Sequence, residues 1–147
     1  MGSVPLEETV SCMTTLVQEG KIIRWGVSNL DVEDLEYLLS VPGGENCQTD
    51  QVLYHLGSRG AEVRLLPYLK ENGMPMMAYC PLAQAGKLQS KLLRSDVLKE
   101  IASAHGASVI QIMLAFSILD KHVFSIPKAS SVRHVQENID AEKIILS

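Results

Sequence analysis

Short apolar runs typical of β-strands alternate with helical patterns along this whole sequence. The runs fall at residues 22–27, 47–54, 76–79 and 122–127. They are mostly apolar, without a sustained apolar–polar alternation, which is typical of parallel strands covered on both faces. We therefore predict an α/β fold in which parallel strands carry helices on the outside.

Capping residues, glycines and prolines indicate where the helices begin and end. The predicted helices, in order, are residues 5–19, a helix capped by Asp31 and ended by Pro42, and residues 59–71, 97–104, 109–119 and 132–140. Val17 and Val63 are predicted to face inward from the first and third of these. Residues 83–91 are predicted to form a loop, and residues 141–147 are left unassigned.

Composition excludes several classes of function. The 147 residues suit one domain, 1–147, and a net charge of −4 gives no basic field for nucleic acid. No apolar run reaches the ~20 residues of a membrane-spanning helix. The three cysteines are widely spaced, which is typical of reduced thiols in a cytosol, and the histidines share no ligand spacing with them. We predict a cytoplasmic protein without a metal site, nucleic-acid partner or membrane partner.

Polar residues stand where the four predicted strands end. Ligands of parallel α/β folds bind at these carboxyl ends. Each pair of residues taken singly fits ordinary turn chemistry as well as it fits function, but four pairs on one rim favour a binding site. The residues concerned are Ser28, Asn29, Asp50, Gln51, Tyr79, Cys80, Pro127 and Lys128.

The same strand ends carry a family resemblance that spans essentially the whole chain. The chain resembles the C-terminal half of the aldo-keto reductases, and among them the small bacterial members that reduce methylglyoxal-like and other small aldehydes. The matching segments are Gly20-Lys21-Ile22-Ile23-Arg24-Trp25-Gly26-Val27-Ser28-Asn29, Asp50-Gln51-Val52-Leu53-Tyr54-His55, Ala78-Tyr79-Cys80-Pro81-Leu82, Ile126-Pro127-Lys128-Ala129 and Glu137-Asn138.

That resemblance implies a (β/α)8 TIM barrel that uses NADPH without a Rossmann fold. Residues 1–147 would run from the fourth helix through the eighth strand and the helix after it. Ser28, Asn29 and Gln51 would hold the nicotinamide carboxamide, which both donates and accepts hydrogen bonds. Tyr79 would stack on the nicotinamide ring; the alternative is a core aromatic residue that caps a strand.

The rest of the cofactor is assigned by the same resemblance. Leu82 would line the pyrophosphate. Lys128, followed by Ala129, would bind the 2′-phosphate near a helix N-terminus; the alternative is a solvated lysine of a loop. Glu137 and Asn138 would address the adenine.

Three positions depart from the family pattern. Cys80 replaces the usual serine and Asp50 the usual asparagine. His134 stands where many relatives place a phosphate-binding arginine, a stronger phosphate partner than a neutral imidazole. The choice between NADPH and NADH therefore stays open.

The family's catalytic Tyr, Asp, Lys and His all belong to the other half of its barrel. We therefore predict no catalytic residue here, and no reduction of a small carbonyl substrate unless the missing half is supplied, since reduction needs a proton donor as well as a hydride. We expect the sequence to be a fragment, or the product of an internal start or a split gene. The alternative is a catalytically inactive module that binds a dinucleotide or assembles as a half-barrel.

A half-barrel leaves two sheet edges and one sheet face open. We expect a homodimer, a complementing N-terminal half or poor solubility. The residues expected to be partly exposed on the open face are Val27, Val52, Met77 and Phe124, or their neighbours.

Overall fold

The computed structural model describes residues 4–84 and 86–146, and contains one parallel sheet. Its strands lie side by side in chain order and each connection crosses over through helical structure. The strands are β1 (Val27–Ser28), β2 (Asp50–Leu53), β3 (Met76–Tyr79) and β4 (Val123–Ser125). The predicted α/β alternation with parallel strands is confirmed over this part of the chain.

The helices follow the capping residues closely. Asp31, Ser95, Ser108 and Ser131 each accept a hydrogen bond from a backbone N–H in the first turn of the helix that follows. The helices are α1 (Leu6–Gln18), α2 (Val32–Ser40), α3 (Leu65–Glu71), α4 (Lys87–Leu93), α5 (Asp96–Ala104), α6 (Val109–Ser117) and α7 (Val132–Ala141). Short 3₁₀ turns cover Gly44–Asn46 and Gly60–Glu62.

The main core lies between the sheet and the helices. Successive residues of β2 and β3 alternate between buried and half-buried, because side chains of a strand point alternately to its two faces. The buried set packs with helical leucines, and burying one such leucine contributes about 2 kcal/mol. This core includes Val10, Leu35, Leu38, Leu66, Leu69, Val52, Met76, Ala78 and Val123.

The strands are shorter than predicted. β1 has only two paired residues, and Ile23 in the predicted strand is 88% exposed. Val52, expected on the open face, is buried against the helices. Val27 is half-buried, but it pairs in register with Asp50 and packs against the same core, so both of these predictions are wrong. Met77 is half-buried and Phe124 is 40% exposed, as expected. Register within the sheet, which sequence periodicity did not fix here, decides these orientations.

Several predictions about the helices are also wrong. The predicted helix 59–71 begins only at Leu65 after a 3₁₀ turn, because Pro67 clashes with a helical carbonyl four residues earlier. Val63 consequently lies before the helix and is 78% exposed, and Val17 of α1 is exposed as well. The predicted loop 83–91 is wrong from Lys87 onward, where α4 begins; Ala85 within it, like Ser147, lies outside the described residues.

The sheet is open at both edges within residues 4–84 and 86–146. β1 pairs only with β2, and β4 pairs only with β3. Across this described part, none of the helices has the length and apolar character needed to cross a lipid bilayer.

Candidate cofactor site

Three of the predicted cofactor residues are joined by hydrogen bonds at the carboxyl end of β1. The Ser28 hydroxyl donates to the backbone oxygen of Gln51 over 2.7 Å, and the Asn29 N–H donates to the same oxygen over 3.0 Å. The Asn29 side-chain amide donates to the Ser28 hydroxyl over 3.1 Å. The structure therefore brings Ser28, Asn29 and Gln51 together, and we call them the amide triad.

The backbone at Asn29 explains why the chain turns at this point. Asn29 has a φ of 57°, in the left-handed region that asparagine tolerates better than most residues. Two residues later Asp31 caps α2, so strand β1 passes directly into a helix. Both side chains of the tip, Ser28 and Asn29, stay exposed and available to a ligand.

The Gln51 side chain is directed along the sheet toward β3. Its amide nitrogen donates to the Met77 sulfur over 2.9 Å, and the register places Gln51 opposite both Ser28 and Met77. Tyr79 lies two residues beyond Met77 on the same face, half-buried. Tyr79 pairs with Leu53, so its position on the sheet is closer to the carboxyl rim than that of Gln51. Sequence reasoning placed Met77 on the open face but did not assign it to the site, since a methionine in a strand carries no polar signal.

The segment after β3 adopts an unusual backbone path. Cys80, Ala83 and Gln84 all have positive φ angles, and the Leu82 carbonyl accepts a hydrogen bond from the Gln89 side chain of α4. This contact anchors the segment to α4. Cys80 and Leu82, both half-buried, lie at the end of β3 as predicted from sequence.

The predicted phosphate residues lie separately, around the N-terminus of α7. Lys128 is exposed and Ala129 half-buried, and Ser131 caps the helix by accepting from the His134 backbone N–H over 3.2 Å. The His134 side chain is exposed on the first turn. A helix N-terminus with a nearby lysine favours an anion.

The adenine candidates lie further along α7. Glu137 forms an ion pair with Arg133 at 3.4 Å, and its backbone oxygen accepts from Gln111 of α6. Asn138 lines a groove of about 570 Å³ together with Pro127. Ser28, Asn29, Gln51 and Tyr79 do not line that groove. The candidate residues therefore form two groups, one on β1 to β3 and one on α7.

Asp50 is the unexpected residue of this region. It begins β2, is fully buried, and has no hydrogen-bond partner for either carboxylate oxygen among the described residues. Burial raises the pKa of Asp50 to about 6. The sequence showed a carboxylate in place of the usual amide, but it could not show that the carboxylate points into the core.

Comparison with known proteins gives the family. The sequence profile described as "Aldo/keto reductase family" matches residues 1–147. Methylglyoxal reductase YeaE of Escherichia coli is 52% identical over 146 residues, covering 99% of this chain and 51% of that protein. Glyoxal reductase of Bacillus subtilis is 33% identical over 139 residues, covering 95% and 47%. The chain thus spans about half the length of these relatives.

Solved structures agree with the sequence matches. An aldo/keto reductase from Klebsiella pneumoniae, in complex with NADP and acetate, superposes with a TM-score of 0.95 at 51% identity, over 99% of this chain and 52% of that one. Aldose reductase from Giardia lamblia gives a TM-score of 0.83 at 27% identity, over 100% and 48%. The predicted fold class, half of a (β/α)8 barrel, is confirmed. The chain belongs to the aldo/keto reductase family.

Proposed function

We propose that this chain supplies the NADPH-binding half of an oxidoreductase that reduces small aldehydes and ketones. The observation that carries the proposal is the amide triad, fixed by three hydrogen bonds at the carboxyl rim of a parallel sheet. Two relatives named for the reduction of methylglyoxal and glyoxal support a small carbonyl substrate.

The donor set of the triad fits a nicotinamide carboxamide. Ser28 and Asn29 expose a hydroxyl and an amide, and Gln51 adds a second amide, so the group can satisfy both the oxygen and the nitrogen of a carboxamide. Tyr79 offers a half-buried ring on the neighbouring strand, against which a flat heterocycle can stack. NADPH, when bound, supplies the hydride; these residues fix the position of its ring.

The α7 end fits the phosphate of the same cofactor. Lys128 and the N-terminal backbone amides of α7 provide positive charge, and Arg133 is already paired with Glu137. Lys128 is therefore the principal cation that we assign to the 2′-phosphate. His134 adds an exposed imidazole, a hydrogen-bonding group, on the first turn of the same helix.

A proton donor for the developing alkoxide is the part that we do not assign to this chain. The Tyr54 hydroxyl donates to Glu62 over 2.8 Å and its ring stacks on Phe116, while Tyr37 pairs with Glu7. Both tyrosines are thus committed to contacts away from the triad. We propose that the catalytic Tyr, Asp, Lys and His come from the half of the relatives that this chain does not match.

The state of the three cysteines bears on the compartment in which the protein works. Cys12, Cys47 and Cys80 are unpaired in the structure. Unpaired thiols support our proposal that the protein works in a reducing cytosol, where NADPH is also available.

Calorimetric titration of the chain with NADP⁺ tests the cofactor assignment. Gln51→Leu removes the amide and is expected to weaken binding about tenfold, a loss typical of a buried polar contact. Gln48→Leu is the matched control, because Gln48 is exposed and its side-chain amide donates to the nearby Asn46 carbonyl, before the start of β2. Equal effects of the two substitutions, or no binding at millimolar NADP⁺, would contradict the proposal.

Activity is tested separately. The chain alone is expected to leave NADPH unoxidised in the presence of methylglyoxal. Adding the N-terminal half of the Escherichia coli relative as a second polypeptide is expected to restore turnover. Turnover by the chain alone would show that a proton donor is present on it and would overturn the division of roles.

A further inference from the structure

The side chain of Asp50 lies directly behind the amide triad, on the helix side of the sheet. Asp50 pairs with Val27 in register, and the next residue, Gln51, is the one whose carbonyl accepts from both Ser28 and Asn29. Because strand side chains alternate, the Asp50 carboxyl faces the core while Gln51 faces the open side. Any change at Asp50 is therefore one residue away from the carbonyl that organises the triad.

The surroundings of this carboxyl disfavour a negative charge. Burial is the dominant cause of its raised pKa, whereas the backbone amides of Leu30 and Asn29 act to lower it. Asp34 of α2 adds a like charge that raises the pKa further. Of the described salt bridges none involves Asp50, and the other titratable neighbour, the buried Cys47 thiol, is itself pushed toward its neutral form.

One backbone group connects this carboxyl to the triad. The Asn29 N–H that donates to the Gln51 carbonyl is also one of the two amides acting on Asp50. When the Asp50 carboxyl is neutral, the Asn29 N–H stays hydrogen-bonded to the Gln51 carbonyl. An ionised carboxylate forms stronger charge-assisted hydrogen bonds and competes for it.

We propose that Asp50 is a positioning residue whose protonation state controls the placement of the Ser28–Asn29 tip and thereby the retention of the nicotinamide end of the cofactor. The protonated form leaves the Asn29 N–H bonded to the Gln51 carbonyl and keeps the triad assembled. The ionised form draws the Asn29–Leu30 backbone toward the core and displaces the tip. The effect on cofactor retention rests on the proposed function, whereas the movement of the Ser28–Asn29 tip does not.

Proton-linked movement can be measured without any cofactor. The backbone amide resonances of Asn29 and Leu30 are expected to shift together on titration from about pH 4.5 to about pH 8, with a midpoint near 6. Asp50→Asn, which keeps the shape but cannot ionise, is expected to abolish the shift. Asp34→Asn, which removes the neighbouring like charge, is expected to move the midpoint to lower pH. Amide resonances that do not titrate in the wild type would overturn the proposal whether or not Asp50→Asn folds.

Cofactor binding provides the second readout. NAD⁺ is the probe, since it lacks the 2′-phosphate, whose own titration would overlap that of Asp50. Wild-type affinity is expected to fall about fivefold between about pH 5 and about pH 8, while Asp50→Asn keeps the high affinity throughout. Parallel pH profiles of the two proteins, or weaker binding by Asp50→Asn at every pH, would overturn the link to the cofactor.

The two readouts separate the possible failures. If NAD⁺ and NADP⁺ bind at no pH while the Asn29 and Leu30 resonances titrate as expected, the proposed cofactor function fails and the control of the tip by Asp50 stands. If the cofactor binds and the resonances do not titrate, the proposed function stands and the role of Asp50 is refuted.

Discussion

The two faces of the sheet differ in how completely they are built. On the helix side, Met76 and Ala78 of β3 are fully buried in the main core. On the opposite side, the intervening Met77 and Tyr79 are only half-buried, and Phe124 of β4 is exposed. Adjacent residues of one strand thus have very different surroundings.

The contrast explains where stability and binding reside. The helix side buries most of the apolar area and supplies most of the folding free energy. The open side carries Tyr79 and the amide triad. A ligand therefore binds to a surface whose framework is held in place from behind.

The largest expected effect compares two neighbouring methionines. Met76→Ala removes a fully buried side chain and is expected to lower the free energy of unfolding by about 3 kcal/mol. Met77→Ala, one residue along and on the open face, is expected to cost about 1 kcal/mol. Urea denaturation of the two variants gives both values. Equal costs would mean that the open face is covered in solution.

The next effect concerns the charge on the helix side. Burial raises the pKa of Asp50 from 3.8 to about 6. Its contribution to stability is therefore fully present when the pH is below the ordinary pKa of 3.8, and it is lost as the pH rises through about 6. Asp50→Asn is therefore expected to stabilise the protein by about 2 kcal/mol at about pH 8, and to change little at about pH 4. Thermal unfolding as a function of pH checks this, and a variant that is less stable at pH 8 would contradict it.

A smaller effect tests the second group of the candidate site. Lys128→Ala is expected to weaken NADP⁺ binding about tenfold, because a charge-assisted contact to the 2′-phosphate is lost, and to leave NAD⁺ binding unchanged. Lys21→Ala, which changes an exposed lysine just after α1, is the control. Equal losses for the two cofactors would remove Lys128 from the phosphate site.

The smallest expected change in stability is at Phe124. Since its ring is 40% exposed, Phe124→Ser is expected to cost less than about 1 kcal/mol. We propose that the open face associates with a second copy or with a complementing half. The same substitution should then reduce self-association measured by sedimentation velocity. A monomeric wild type at high concentration would contradict the homodimer.

Local sequence signals predicted much of this fold. Caps such as Asp31 and Ser108 located the helix starts because their side chains bond the first free N–H groups of the next turn. The short apolar runs overlapped all four strands, although the predicted run 22–27 shares only Val27 with β1. The failures at Val63 and at α4 have local causes that were present in the sequence. Pro67 forbids an earlier helix start, and the seven-residue helix Lys87–Leu93 follows Gly86 without a side-chain cap to indicate its start.

The sequence by itself determined the strand–helix order, the caps and, through its motifs, the family and the residues of the amide triad. Tertiary structure decided which face each strand residue occupies, because pairing register cannot be derived from these short runs. Val52 was placed on the open side and lies in the core. Asp50 was noted as an unusual residue and proved to be a buried carboxyl whose oxygens accept no hydrogen bond from residues 4–84 and 86–146. A side chain's burial depends on what packs against it from distant parts of the chain, and that information is absent from any local pattern.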